Sequence, residues 1–75
     1  MKYLSQLVEG ETGEIIAIEE GEASIKLMEM GCVPKEKIKL VKKEPFGGPI
    51  AIEVAGYVLS MRRTEAALIR ILPHS

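Results

Sequence analysis

The sequence predicts a mainly β protein, a small barrel of about five short antiparallel strands with one short α-helix. Three observations lead to this prediction: short runs in which apolar residues alternate, turns rich in Gly and Pro between these runs, and one stretch with helical spacing. Curling the sheet into a barrel removes the exposed edges of such strands. With no linker or repeat in the chain, we expect one domain over residues 1–75, which buries about 60% of the surface of the unfolded chain.

The first predicted strand is followed directly by the predicted helix. Residues 12–22, TGEIIAIEEGE, contain a short apolar run between glycines, and residues 22–31, EASIKLMEMG, change to helical spacing. Glu20 and Glu22 lie near the start of the helix, where its dipole favours carboxylates. Gly31 lies at the end, where a left-handed residue is favoured. The apolar face of this helix carries Ala23, Leu27 and Met30.

The rest of the chain reads as strands joined by turns. Four runs have the length and composition of strands: residues 37–43, 50–54, 57–61 and 68–72. The first two form a predicted hairpin around the turn EPFGGP, and the side chains expected to face the core are Ile38, Leu40, Ile50, Ile52 and Val54. In the third run, the side chains that share the inner face are Tyr57, Leu59 and Met61. Before the last run, RRTEAA reads as a turn in which Thr64 caps a short helix and Glu65 lies in its first turn.

Composition and charge argue against several classes of protein. The net charge is -1, so no basic field attracts nucleic acid. Residues 1–34 carry a net charge of -5 and residues 35–75 a net charge of +4, which in an interleaved fold indicates solvated strand faces. The chain has no Asp, no phosphate-binding loop and no Ser-His-Asp set, so we expect no enzymatic activity.

The cysteine content and the hydropathy pattern predict a cytoplasmic location. A single cysteine cannot form an intramolecular disulfide, which fits a reducing compartment. No apolar run reaches the roughly 18 residues of a spanning helix, and the beginning, MKYLSQLVEGE, lacks the apolar centre of a signal peptide. We therefore expect no insertion into the membrane.

Four segments together resemble the FeoA family of ferrous iron transport accessory proteins. They are LVEGETGEIIAI, LMEMGCVP, PFGGPIAIEVAGYVLSMRRTEA and IRIL, and they cover nearly the whole chain. The most specific features are Pro34 three residues after the glycine of LMEMG, and the order of residues from Gly48 to Ala66. The sequence departs from the family at Lys35, where glycine is common, and at Gly48, where aspartate is common. Both departures lie in turns and put the geometry of those loops in question.

The resemblance implies an SH3-like barrel and a regulatory role that depends on protein contact. Its partner is then FeoB, the membrane iron transporter with a cytoplasmic GTP-binding domain. Apart from the resemblance, apolar side chains left on the outer side of the helix would also suit a second copy of the chain, so self-association is a second expectation. The resemblance implies no catalytic residue and no cofactor, and it leaves recruitment to the inner membrane by the partner open. The same barrel occurs in metal-dependent transcriptional repressors, so a metal-binding carrier or a regulatory domain of that kind is the alternative function.

Residues that could bind a metal ion have a simpler structural interpretation. Cys32 lacks a nearby co-ligand and follows the glycine that ends the helix, so we interpret it as a small buried apolar residue. The acidic cluster Glu19, Glu20 and Glu22 consists of residues that point apart in a strand-to-helix turn. His74 lies next to the last residue, in a segment expected to fray. Met30 and Met61 lie on apolar faces as core fillers, so we predict no metal site.

Two surface features are candidates for binding a macromolecule. The basic residues Lys37, Lys39, Lys42, Lys43, Arg62 and Arg63 could serve nucleic-acid binding, but the chain has few aromatic residues for stacking bases, and solvated strand faces explain them as well. On the helix, Ile25 and Met28 point away from the apolar face. Either the loop EPFGGP folds over these two residues, or they form a partner-binding patch together with Phe46.

Overall fold

Six antiparallel strands form one sheet in the structure, a computed structural model that describes residues 1–74. The strands are β1 (Lys2–Tyr3), β2 (Thr12–Ile18), β3 (Lys37–Lys43), β4 (Ile50–Val54), β5 (Tyr57–Met61) and β6 (Ile69–His74). The helices are a single 3-10 turn (Leu4–Gln6) after β1, α1 (Ser24–Glu29) between β2 and β3, and α2 (Arg63–Ala66) between β5 and β6.

The strand order in the sheet is β1-β6-β2-β3-β4-β5, so β1 and β5 are its two edges. The predicted mainly β class, the five predicted strands and the predicted helix are confirmed. The strand β1 was not predicted, because two residues are too short to show alternation. The curvature of the sheet is aided by register shifts between β2 and β6 and between β3 and β4.

The core lies inside the curved sheet and follows the predicted alternation. In β3 and β4, the predicted core residues Ile38, Leu40, Ile50, Ile52 and Val54 are all buried. The 3-10 turn and the residue after it add Leu4 and Leu7, both fully buried, which strand periodicity did not predict. The N-terminal segment therefore closes one side of the core.

The prediction that Tyr57, Leu59 and Met61 face the core is correct for Leu59, which packs against the core, and for Met61, but not for Tyr57. Met61 is 4% exposed, Leu59 is half-buried, and Tyr57 is 43% exposed. The cause is the position of β5: it is an edge strand, and its first residues lie beside the turn Ala55–Gly56, away from the centre of the core.

Two expectations near the C-terminus are wrong. The residue that caps α2 is Arg62 rather than Thr64. The Glu65 carboxylate, in the first turn of the helix, accepts a hydrogen bond from the Arg62 backbone N–H at 2.8 Å, and α2 therefore begins at Arg63. His74 belongs to β6 and pairs with Thr12 in the register of β2, so the ladder extends into the segment expected to fray.

Within residues 1–74, three residues other than glycine have positive φ angles, and all of them lie in turns. They are Lys35 at 79°, Phe46 at 59° and Ala55 at 52°. Lys35 occupies the position where the family commonly has glycine, so this departure places a side chain in a left-handed conformation. The expected left-handed residue at the end of α1 is confirmed, since Gly31 has a φ of 102°.

Candidate protein-interaction surface

The outer side of α1 carries two exposed apolar side chains, Ile25 and Met28, which we call the α1 surface. Ile25 is 67% exposed and Met28 is 41% exposed, while Leu27 on the opposite side is fully buried. The predicted orientation of these residues is therefore confirmed. The loop EPFGGP does not cover them, because both side chains remain open to solvent.

Helix α1 is anchored to the core through Leu27 and Cys32, which are both fully buried, so the α1 surface has a defined position. Near its start, Lys26 forms an ion pair with Glu65 of α2 at 3.5 Å. At its end, the Cys32 backbone N–H donates to the Leu27 carbonyl at 3.0 Å. Gly31 packs so closely against Tyr57 that an added Cβ atom would lie 2.7 Å from the Tyr57 hydroxyl. A six-residue helix is too short to be stable alone, so these contacts position it.

Phe46, the third residue predicted for the partner-binding patch, lies at the tip of the β3–β4 loop. Its side chain has a relative exposure of 104%, so it packs against neither the core nor the α1 surface. The loop is anchored instead by Arg63, whose Nε atom donates to the Gly48 carbonyl at 3.0 Å and whose Nη2 atom donates to the Glu44 carbonyl. The structure thus leaves Phe46 exposed on a separate element from Ile25 and Met28.

The basic residues divide into structural and solvated groups. Lys43 donates through Nζ to the backbone carbonyls of Ser5 and Leu7, both at 2.9 Å, and Arg63 holds the loop described above. Sequence reasoning interpreted both as members of a solvated face, and this was wrong because their acceptors are backbone carbonyls distant in sequence. Lys37 and Lys39 are exposed on β3 as predicted.

Cys32 is fully buried in the core, as the sequence predicted. Burial raises the pKa of its thiol to about 11, so the thiol is neutral near pH 7. A buried neutral thiol is a poor metal ligand and a poor nucleophile. The position therefore contributes packing rather than a reactive group.

The acidic residues near α1 are occupied or dispersed. Glu19 pairs with Arg70 at 3.6 Å and accepts a hydrogen bond from the Tyr3 hydroxyl at 3.3 Å. Glu20 and Glu22 are exposed in the turn that follows. Within residues 1–74, no group of three or more His, Cys or Glu side chains is arranged to hold a metal ion.

An open groove of about 740 Å³ lies beside the β4–β5 turn. Its lining includes the first residues of β5, Tyr57 and Val58, together with Lys37, Lys39 and His74 from other strands. Beside this groove, Val58 is open to solvent.

None of the helices in residues 1–74 is long and apolar enough to cross a lipid bilayer.

Comparison with known proteins places the chain in a family and confirms the barrel. The family model of the FeoA domain matches residues 2–73. A FeoA-like protein from Clostridium acetobutylicum has 33% identity and a TM-score of 0.89 over 96% of this chain and 85% of its own. FeoA from Stenotrophomonas maltophilia, solved with zinc and described as a prokaryotic SH3 domain protein, has 25% identity and a TM-score of 0.80 over 95% of this chain and 89% of its own.

A manganese-dependent transcriptional repressor has the same fold at 15% identity, with a TM-score of 0.88 over 97% of this chain and 41% of its own. At this identity the similarity concerns the barrel alone. The chain matches no curated protein sequence. The SH3-like barrel expected from the resemblance is confirmed, and apolar contact is the chemistry that the α1 surface offers.

Proposed function

The chain belongs to the FeoA family, and on that premise we propose that it is a small cytoplasmic accessory protein of bacterial ferrous iron uptake. In this proposal it forms a single domain over residues 1–75, acts through contact with the transporter FeoB, and catalyses no reaction itself. The family is linked to ferrous iron transport. The Stenotrophomonas protein is suggested to be a ferrous iron transport activating factor, a role that fits an accessory partner better than a carrier.

The α1 surface is the observation that carries the proposal. Ile25 and Met28 expose apolar area on a helix that is anchored to the core by the buried residues Leu27 and Cys32. Burying such side chains against a partner is favourable by roughly 25 cal/mol for each Å² of apolar area, and the anchored helix loses little conformational entropy on binding. Phe46, on the β3–β4 loop, supplies a third exposed apolar side chain for the same partner.

Substitution of the α1 surface tests the contact directly. We expect Ile25→Lys with Met28→Lys to retain the thermal midpoint, since exposed sites contribute little to stability, and to weaken binding to the isolated cytoplasmic domain of FeoB by tenfold or more, that is, by at least about 1.4 kcal/mol. Calorimetric titration measures the affinity. Val41→Lys is the matched control, because Val41 is 40% exposed on β3 and lies outside α1.

The outcomes separate the proposal from its alternatives. Equal affinity of the double variant and the parent protein would remove α1 from the interface, and unfolding of the double variant would place Ile25 and Met28 in the core. Anaerobic calorimetry with Fe(II) tests the carrier alternative. A saturable Fe(II) site that is lost when Glu19 and Glu20 are changed to Gln would replace the contact mechanism with metal binding.

A further inference from the structure

The outer edge of β5 offers backbone hydrogen-bonding groups that no other strand within residues 1–74 uses. In the sheet, β5 pairs only with β4, through a register that runs from Val54 opposite Tyr57 to Ile50 opposite Met61. The two-residue turn between these strands has φ angles of 52° at Ala55 and 85° at Gly56, which is the pattern of a type I′ hairpin.

The hairpin determines which residues of β5 bond to β4. In a two-residue hairpin the residues that flank the turn form a hydrogen-bonded pair, and along an antiparallel ladder such pairs alternate with non-bonded pairs. Tyr57, Leu59 and Met61 therefore bond to β4. The backbone N–H and C=O groups of Val58 and Ser60 point away from β4, and within residues 1–74 none of them has another hydrogen-bond partner.

This edge lacks the features that normally protect an edge strand from pairing. Edge strands are usually short, charged, bulged or interrupted by proline. The other edge, β1, is only two residues long. In contrast, β5 has five residues, YVLSM, with no charge and no proline, and its pairing with β4 shows no register shift. Val58 is 60% exposed and Ser60 is also exposed, so both residues are open to solvent.

We infer that β5 is a self-association site, at which the edge of β5 pairs antiparallel with β5 of a second copy of this chain. A two-fold axis at Leu59 places Val58 opposite Ser60 of the second copy. On each side of the axis, Val58 of one copy and Ser60 of the other point their free backbone groups at each other. Each such pair exchanges two hydrogen bonds, from N–H to C=O in both directions. The result is one continuous sheet across two barrels.

The charges along the strand are compatible with a second copy. Arg62, the first charged residue after β5, lies opposite Gly56 of the second copy in this register. The two Arg62 residues are then about 20 Å apart at about 3.3 Å per residue, which is beyond the screening length of about 8 Å at physiological salt. No like charges face each other along the paired strands, so a second copy fits this edge without repulsion.

The area that five residues bury lies below the roughly 800 Å² per partner of a standard interface, so we expect a weak dimer. Sedimentation velocity from ~10 μM to ~1 mM tests this expectation. The mass is expected to rise with concentration from the 8.2 kDa of one chain toward about 16 kDa, twice that value. Amide hydrogen exchange adds a test of register: protection of Val58 and Ser60 should increase with concentration, while that of Leu59 should not change.

Paired charges test the proposed register more strictly. Changing Val58 and Ser60 both to Lys, or both to Glu, puts like charges opposite each other and should keep each variant monomeric. An equimolar mixture of the two variants should dimerise, because every pair is then of opposite charge. Val41→Lys, on a strand that is not an edge, is the control and should dimerise like the parent protein.

Three results would overturn the inference. The first is a parent protein that stays monomeric at every concentration, including the case in which β5 accepts a segment of another protein instead. The second is a dimer that the paired charges leave unchanged. The third is a dimer that Val41→Lys disrupts to the same extent. Circular dichroism of each variant shows whether it is folded, and Ser60→Pro, which removes only an N–H that β4 does not use, is available if the charged variants unfold.

Discussion

Cys32 lies fully buried after Gly31, at the point where α1 ends and its backbone N–H bonds to the Leu27 carbonyl at 3.0 Å. In this position the thiol has no charged neighbour to stabilise a thiolate, so desolvation alone raises its pKa to about 11. The ordinary pKa of a cysteine thiol is about 8.5. Because the thiol has a higher pKa in the folded protein than in the unfolded chain, the ionisation of Cys32 is coupled to folding.

This coupling predicts that the protein loses stability in alkaline solution. Between pH values of about 8.5 and 11 the unfolded chain releases the thiol proton and the folded chain keeps it, so the free energy of unfolding falls as pH rises, by up to about 1.4 kcal/mol per pH unit. Below pH ~8 the effect is absent. Cys32→Val should abolish this loss and cost less than ~1.5 kcal/mol near pH 7.

Urea midpoints of the parent protein and of Cys32→Val, measured at several pH values, check the prediction. All other side chains are common to both proteins, so their contributions cancel in the difference. Equal losses of stability in the two proteins would show that the thiol is not the source. Loss of FeoB binding by a folded Cys32→Val variant would contradict the structural interpretation of this residue.

Gly13 in β2 has no room for a side chain. An added Cβ atom would overlap the buried Ile71 side chain and lie 2.8 Å from the Leu72 carbonyl oxygen of β6. Because β2 and β6 are hydrogen-bonded neighbours, relief of this overlap requires a shift of the backbone. We expect Gly13→Ala to lower the free energy of unfolding by about 1–3 kcal/mol.

Chemical denaturation measures this loss, and Gly21→Ala provides the comparison. Its Cβ atom would lie 3.2 Å from the end of the Leu68 side chain, which can move, so Gly21→Ala should cost much less. If the loss of stability for Gly13→Ala is as small as that for Gly21→Ala, β2 and β6 can move apart at this position without a measurable cost.

Among the elements, the turn between α1 and β3 contains a built-in strain at Lys35. Its φ of 79° lies in the region that costs a residue with a side chain roughly 1–2 kcal/mol. The turn keeps this conformation because the Lys35 backbone N–H donates to the Ile15 carbonyl at 2.7 Å and thereby connects the turn to β2. The Lys35 side chain is exposed, so a substitution there removes little buried surface.

We therefore expect Lys35→Gly to stabilise the protein. The gain should be about 1 kcal/mol after the greater freedom of glycine in the unfolded chain is subtracted, which raises the thermal midpoint by roughly 4–8 °C in a domain of this size. Lys35→Ala tests whether loss of the lysine side chain is enough, and it should give no such gain because alanine has the same strain. A thermal midpoint that is unchanged or lower for Lys35→Gly would show that the left-handed backbone at Lys35 does not cost stability.

The elements also show which parts of the fold can be predicted from sequence. Strands β3 and β4 were predictable because buried and exposed residues alternate with a period of two. The cap of α2 was misplaced because a glutamate three residues inside the helix, Glu65, replaces the Thr64 side chain as the capping group. The exposure of Ile25 followed from helical periodicity, whereas the position of Phe46 relative to α1 depends on loop contacts that no local pattern encodes.

In the molecule as a whole, the open sheet is completed by the N-terminal segment between β1 and β2. This segment buries Leu4 and Leu7 and then crosses to β3, where the Gly10 backbone N–H donates to the Leu40 carbonyl at 2.8 Å. On β3, the Lys43 ammonium group donates to the carbonyls of Ser5 and Leu7, both at 2.9 Å. The sequence could not indicate this contact, since 36 and 38 residues separate the partners.

Lys43 is therefore expected to hold the barrel closed, and Lys43→Met tests this role. Methionine keeps most of the apolar stem but removes the charged donor, so the Ser5 and Leu7 carbonyls lose their charge-assisted hydrogen bonds. We expect the free energy of unfolding to fall by about 1.5–3 kcal/mol, and the amides of the N-terminal segment to exchange faster with solvent than those of β3. Lys42→Met is the matched control, because Lys42 is exposed and forms only a 4.0 Å pair with Glu44, and such surface pairs contribute roughly 0–1 kcal/mol. If the two variants lose the same stability, or if exchange of the N-terminal amides is unchanged in Lys43→Met, the closure of the barrel depends on the buried leucines and not on this lysine.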